Sequence, residues 1–81
     1  MMMDSQYKMN LIKIGLKIAY YRKLKGLTQE QLAEKINKSA AFIGHVEAPN
    51  IDKAISLDTL FDISRELNVP AHKFLIFDED R

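Results

Sequence analysis

Thr28-Gln-Glu-Gln-Leu-Ala-Glu-Lys-Ile-Asn-Lys-Ser39-Ala-Ala-Phe-Ile-Gly-His-Val-Glu47 reads as two short helices joined by a tight turn. Each start is marked by a hydroxyl residue. Thr28 caps the first helix, and Gln31 three residues later completes a capping box, in which each partner satisfies a free backbone N–H of the other. Ser39 caps the second. Between them Asn37 tolerates the left-handed conformation that closes a helix C-terminus. Leu32, Ala33 and Ile36 fall on one face of the first helix, and Ile43 and Val46 on one face of the second. Ala33 is small enough for two helices to cross closely.

Upstream, the spacing predicts a helix from about Asn10 to Lys25, stopped at Gly26. Leu11, Ile14, Ile18 and Tyr21 recur at core spacing, leaving Lys13, Lys17, Lys23 and Lys25 for solvent or an anion. Downstream, Ala48–Ile55 reads as a loop, broken by Pro49 and Asn50. Ser56 then caps a fourth helix with an expected inner stripe of Leu57, Leu60, Phe61, Ile63, Ser64 and Leu67, closed by Asn68. Pro70 opens a short fifth helix that holds Phe74 and Leu75. Asp78–Arg81 reads as a frayed tail. The expectation is an all-α, five-helix single domain over residues 1–81, with its core at about 10–77.

At 81 residues the chain suits one small domain, which buries only ~60% of its unfolded surface and has no room for a large substrate cavity. The absence of cysteine excludes disulfides and thiolate metal sites. No apolar run approaches the ~20 residues of a membrane span. The Met1-Met-Met-Asp-Ser-Gln6 start lacks a positive region ahead of an apolar core, so no secretion signal is expected. The expectation is a soluble, cytoplasmic protein without a membrane partner. The net charge of +1 hides a split: residues 1–38 carry eight Lys/Arg against three acids, and residues 39–81 carry four against eight. Such a split can give one face that attracts phosphates, or can be ordinary solvated helix surface.

Two capped helices around a short turn form a helix-turn-helix, whose second helix is built to enter a DNA major groove. With Ile14-Gly15, Ile18 and Arg22 before it, Gly26-Leu27-Thr28-Gln29 at the entry, Glu47 at the exit, and Ser56–Val69 followed by Phe74-Leu75, the chain resembles the Cro/repressor (XRE-type) family from about Ile14 to Leu75. The resemblance implies a lambda-repressor-like fold and a sequence-specific regulator of transcription on double-stranded DNA, a repressor by preference, that works as a homodimer. It places Gln29, Ser39, Asn50 and Lys53 at phosphates and Ala40, Ala41, Phe42, Gly44 and His45 toward the bases. Gln29 would also brace the recognition helix. Arg22 and Glu47 match a buried structural ion pair that orients that helix. A lone buried charge is costly, so each needs the other.

This recognition helix departs from the family pattern, since base edges are read by donors and acceptors. Ala40 and Ala41 can pack on thymine methyls. Phe42 can do the same, or mark a protein interface. Gly44 lowers helix stability by roughly 1 kcal/mol relative to Ala, which hints at a close approach. His45 is the only side chain on this face able to donate a hydrogen bond to guanine or to a phosphate. The loop after Glu47 replaces the family's glycine turn with Ala48-Pro49, and Lys53 is its only cation. Ile76 and Phe77, then Tyr7 and Met9, are left for a two-fold contact or for the domain's own core. The rival reading is a protein-interaction module on the same fold, with little sequence-specific reading. No nucleophile stands beside a base and no carboxylate-histidine cluster occurs, so neither an enzyme nor a cofactor or metal site is expected. Asp58 and Asp62 are explained by the favourable dipole at a helix start.

Overall fold

The computed structural model describes residues 5–77, which form four α-helices and one 3-10 helix. These are α1 (Ser5–Leu24), α2 (Gln29–Lys35), α3 (Ala40–Glu47), α4 (Leu57–Leu67) and the 3-10 helix Ala71–Leu75. Every hydroxyl cap expected at a helix start is present. The Thr28 side chain accepts from the Gln31 N–H at 3.0 Å while Gln31 Oε1 accepts from the Thr28 N–H at 2.8 Å. Ser39 Oγ accepts from the Phe42 N–H at 3.0 Å, and Ser56 Oγ from that of Thr59 at 3.3 Å.

Three helices end by the same device. Gly26, Asn37 and Asn68 adopt φ of 74°, 59° and 56°. In each case the next residue's N–H reaches back five positions: Leu27 to Arg22, Lys38 to Ala33, and Val69 to Ser64, at 3.1, 2.9 and 3.0 Å. These bonds satisfy carbonyls that a helix end would otherwise leave unpaired, and they turn the chain sharply. The turn between α2 and α3 is therefore fixed by Asn37 and Ser39 together.

Ile18 of α1, Leu32, Ala33 and Ile36 around α2, Ile43 and Val46 of α3, Leu60, Ile63 and Leu67 of α4, and Phe74 form one buried cluster. Ile14, Tyr21, Leu27, Phe42, Ile55 and Val69 close it from the sides. Tyr21 meets Phe74 edge-to-face at 5.5 Å, which ties α1 to the 3-10 helix. Gly15 makes the tightest crossing. A Cβ built there would lie 1.8 Å from the Val46 carbonyl oxygen, so α1 and α3 touch backbone to backbone.

Several expectations are corrected. The first helix starts at Ser5, not near Asn10, because nothing from Gln6 to Met9 interrupts it; Tyr7 and Met9 thus sit on α1 with half their surface in solvent. The fifth helix is a 3-10 helix of 5 residues, entered by an i to i+3 bond from the Lys73 N–H to the Pro70 carbonyl at 3.0 Å. On α4, Leu57 and Phe61 are 65% and 54% exposed, and Thr59 is buried instead. The helix inserts a narrow stripe of Thr59, Leu60, Ile63 and Leu67 between its neighbours, and Leu57 and Phe61 fall to one side of it. Of Phe74 and Leu75 in the short fifth helix, Phe74 is buried and Leu75 is exposed. The tail at Asp78–Arg81 lies outside the described residues.

Candidate nucleic-acid interface

A buried polar network fixes the pose of α3. Arg22 Nε and Nη2 donate to the two carboxylate oxygens of Glu47 at 2.7 and 2.8 Å. The side chains are 8% and 5% exposed. A forked guanidinium–carboxylate pair has a single preferred geometry, and its charge-assisted bonds offset the cost of removing both ions from water. The hydrogen bond to Glu47 holds the Arg22 guanidinium above its ordinary range, against the opposing pull of burial. Arg22 Nη1 also donates to the Leu27 carbonyl at 2.7 Å, binding the turn after α1. Gln29 Nε2 completes the network by donating to Glu47 Oε1 at 3.0 Å. Gln29 is thus a brace between the start of α2 and the end of α3, a link that spacing alone does not reveal.

With Ile43, Val46 and Glu47 buried, the opposite face of α3 points outward. Ala40, Ala41 and His45 are exposed, and Gly44 is half-buried. A Cβ added at Gly44 would meet only Gln29 Oε1 at 3.7 Å, an ordinary contact. No packing within the domain requires glycine there. The two alanines, the glycine and the imidazole leave a smooth surface with one hydrogen-bonding side chain.

Phe42 is placed differently from the others. It is half-buried, packs against the core, and stacks with two cations: Lys38 Nζ lies 5.4 Å and Lys53 Nζ 5.6 Å from the ring centroid. Lys38 and Lys53 come from the turn before α3 and the loop after it, so the ring gathers charge from both flanks. The family resemblance singles out Lys53 but gives no signal for Lys38, whose position depends on the turn at Asn37. Asn50 is an exposed turn residue, next to Ile51, whose N–H reaches the Ala48 carbonyl at 3.3 Å. The free amides at the start of α2, beside Gln29, and of α3, after Ser39, add a positive dipole end at two edges of the same surface.

The groups on this surface suit non-covalent contact with an anionic polymer. Among the described residues no cluster of His, Asp or Glu is arranged to hold a metal ion, and no helix is long and apolar enough to cross a membrane.

Comparison with known proteins points the same way. A family model described as helix-turn-helix matches residues 18–74. The crystal structure of SinR, a master regulator of biofilm formation, in complex with DNA is similar at 33% identity and a TM-score of 0.71, over 78% of this chain and 98% of that one. The restriction-modification controller protein C.AhdI from Aeromonas hydrophila is similar at 25% identity and a TM-score of 0.76, over 88% and 99% of the two chains. SinR in its complex with SinI is 31% identical, with a TM-score of 0.75, over 83% of this chain and 64% of that one. The search of curated proteins finds no match.

Proposed function

This chain belongs to the XRE-type helix-turn-helix family, and from that premise we propose that it is a sequence-specific regulator of transcription that lays α3 in the major groove of duplex DNA. The observation that carries the reading is the outward face of α3, made of Ala40, Ala41, Gly44 and His45 and held by the Arg22–Glu47–Gln29 network. Small side chains let the helix sit deep, where Ala40 and Ala41 meet thymine methyls and His45 donates to a base edge or a phosphate. Gln29, Ser39, Asn50 and Lys53 supply backbone contacts along the rim. One imidazole contact discriminates weakly, so part of the specificity comes from DNA shape. The protein acts as a repressor by occupying its site. It does so as a homodimer, because one helix in one groove reads few base pairs and paired half-sites stand about 34 Å apart.

Fluorescence anisotropy with a random duplex and with duplexes enriched by binding-site selection, across salt concentrations, tests the reading. Binding should weaken steeply as salt rises, since each neutralised phosphate releases counterions. A selected motif should emerge that His45→Ala relaxes. A protein that binds no duplex at low salt ends the DNA reading and leaves a protein-interaction module. The exposed apolar side chains of α1, Met9, Leu16, Tyr20 and Leu24, are the observation that favours this rival.

A further inference from the structure

We propose that Phe42, Lys38 and Lys53 form a phosphate-binding subsite at the N-terminal edge of α3, in which the aromatic ring seats two ammonium groups for the DNA backbone. The inference rests on the DNA-binding reading above and assigns Phe42 a positioning role instead of base reading.

Three observations converge on it. Both ammonium groups lie within 6 Å of one ring centroid, at 5.4 and 5.6 Å, the range in which a ring quadrupole attracts a cation. Packing restrains the ring: Phe42 is half-buried against the core. Neither lysine forms an ion pair among the described residues. Two cations drawn to one ring, beside the positive end of the α3 dipole, offer positive charge that an anion would join. Two acids stand near: Asp52 precedes Lys53 in the chain, and Asp58 feels Lys38, although its carboxyl is held below the usual range mainly by the Ser56 hydroxyl.

The bland reading is that two lysine stems simply cover an apolar ring. The two readings differ in what they do to binding. Flexible lysines must be ordered when they grip a phosphate, at a cost that a pre-set seat removes. The ring should then matter for affinity through the lysines alone, and equally for every DNA sequence.

The test compares wild type, Phe42→Leu, Lys38→Ala/Lys53→Ala and the triple variant, by anisotropy with random and selected duplexes over a salt series. Phe42→Leu should weaken binding about five- to a hundredfold on both duplexes, the size expected for losing the pre-ordering of two side chains. The salt slope should stay as in wild type, because both cations remain. The double lysine variant should lower that slope by about 2, and Phe42→Leu added to it should change nothing further. A Phe42→Leu loss that persists without the lysines, that depends on DNA sequence, or that is absent would overturn the subsite. Proton NMR of the free protein gives a second readout. The ε-methylenes of Lys38 and Lys53 should be shifted upfield by the ring and return to ordinary positions in Phe42→Leu; ordinary positions in wild type also refute the seat. Thermal melts confirm that the variants fold, with Phe42→Met as the replacement if leucine does not. A wild type without salt-dependent binding removes the DNA reading itself, whereas binding indifferent to Lys38 and Lys53 removes only the subsite.

Discussion

Glu47 ends α3 with a carboxylate that accepts three hydrogen bonds, two from Arg22 and one from Gln29. Removing either member of the ion pair strands the other in a site that water barely reaches. Arg22→Ala and Glu47→Ala should each cost about 3–5 kcal/mol in denaturant melts, with the double variant costing clearly less than the two losses added. Small, additive losses would mean the pair contributes little. Gln29→Ala should behave differently: it removes one partly exposed bond, worth about 1 kcal/mol, and leaves the ion pair intact. The pair was legible in the sequence through its resemblance to a known pattern. The same resemblance implied that Gln29 braces the recognition helix, but not that Glu47 is its partner, which depends on how α2 crosses α3. The seat under Lys38 was not legible, since it exists only once the turn at Asn37 has folded.

Helix ends were the most legible elements, because capping is local chemistry: Thr28, Ser39 and Ser56 at the starts and Gly26, Asn37 and Asn68 past the ends act within a few residues of themselves. Element faces were less so. Leu57 and Phe61 have core character and near-core spacing, yet only the neighbours of α4 decide how wide its buried stripe is. Two glycines separate packing from function at this scale. Gly15→Ala drives a methyl into the Val46 carbonyl, 1.8 Å from the ideal Cβ, so the α1–α3 crossing must open. The expected loss is about 3 kcal/mol, with weaker DNA binding because α3 tilts. Gly44→Ala meets only an ordinary contact at 3.7 Å and should raise stability by about 0.5–1 kcal/mol through better helix propensity. If α3 lies as deep in the groove as proposed, the same methyl should reduce DNA affinity. Melts and anisotropy on both variants decide it, and a Gly44→Ala protein that binds as well as wild type would show that nothing approaches that backbone.

Over the whole molecule the charge split takes a definite form. α1 carries Lys8, Lys13, Lys17 and Lys23 besides the buried, Glu47-paired Arg22, and no acid. A two-fold contact through the exposed face of α1 would set cations against cations, which favours the proposed dimer contact at Ile76 and Phe77, both half-buried at the end of the described chain. Sedimentation at micromolar concentration should give a wild-type dimer and an Ile76→Asp monomer of unchanged fold by circular dichroism. A wild-type monomer that binds DNA one molecule per site would exclude it.

The Arg22–Glu47 pair spans 25 residues of chain and so sets a limit on modularity. A peptide of residues 28–47 would keep both caps and the Asn37 turn but would lack Arg22, Ile18, Ile63 and Phe74. Its Glu47 would be an unmatched carboxylate, and its apolar stripes would face water. The helix-turn-helix cannot be excised or grafted intact without α1, and any transplant of it onto another scaffold must carry an arginine able to reach the last residue of the grafted helix.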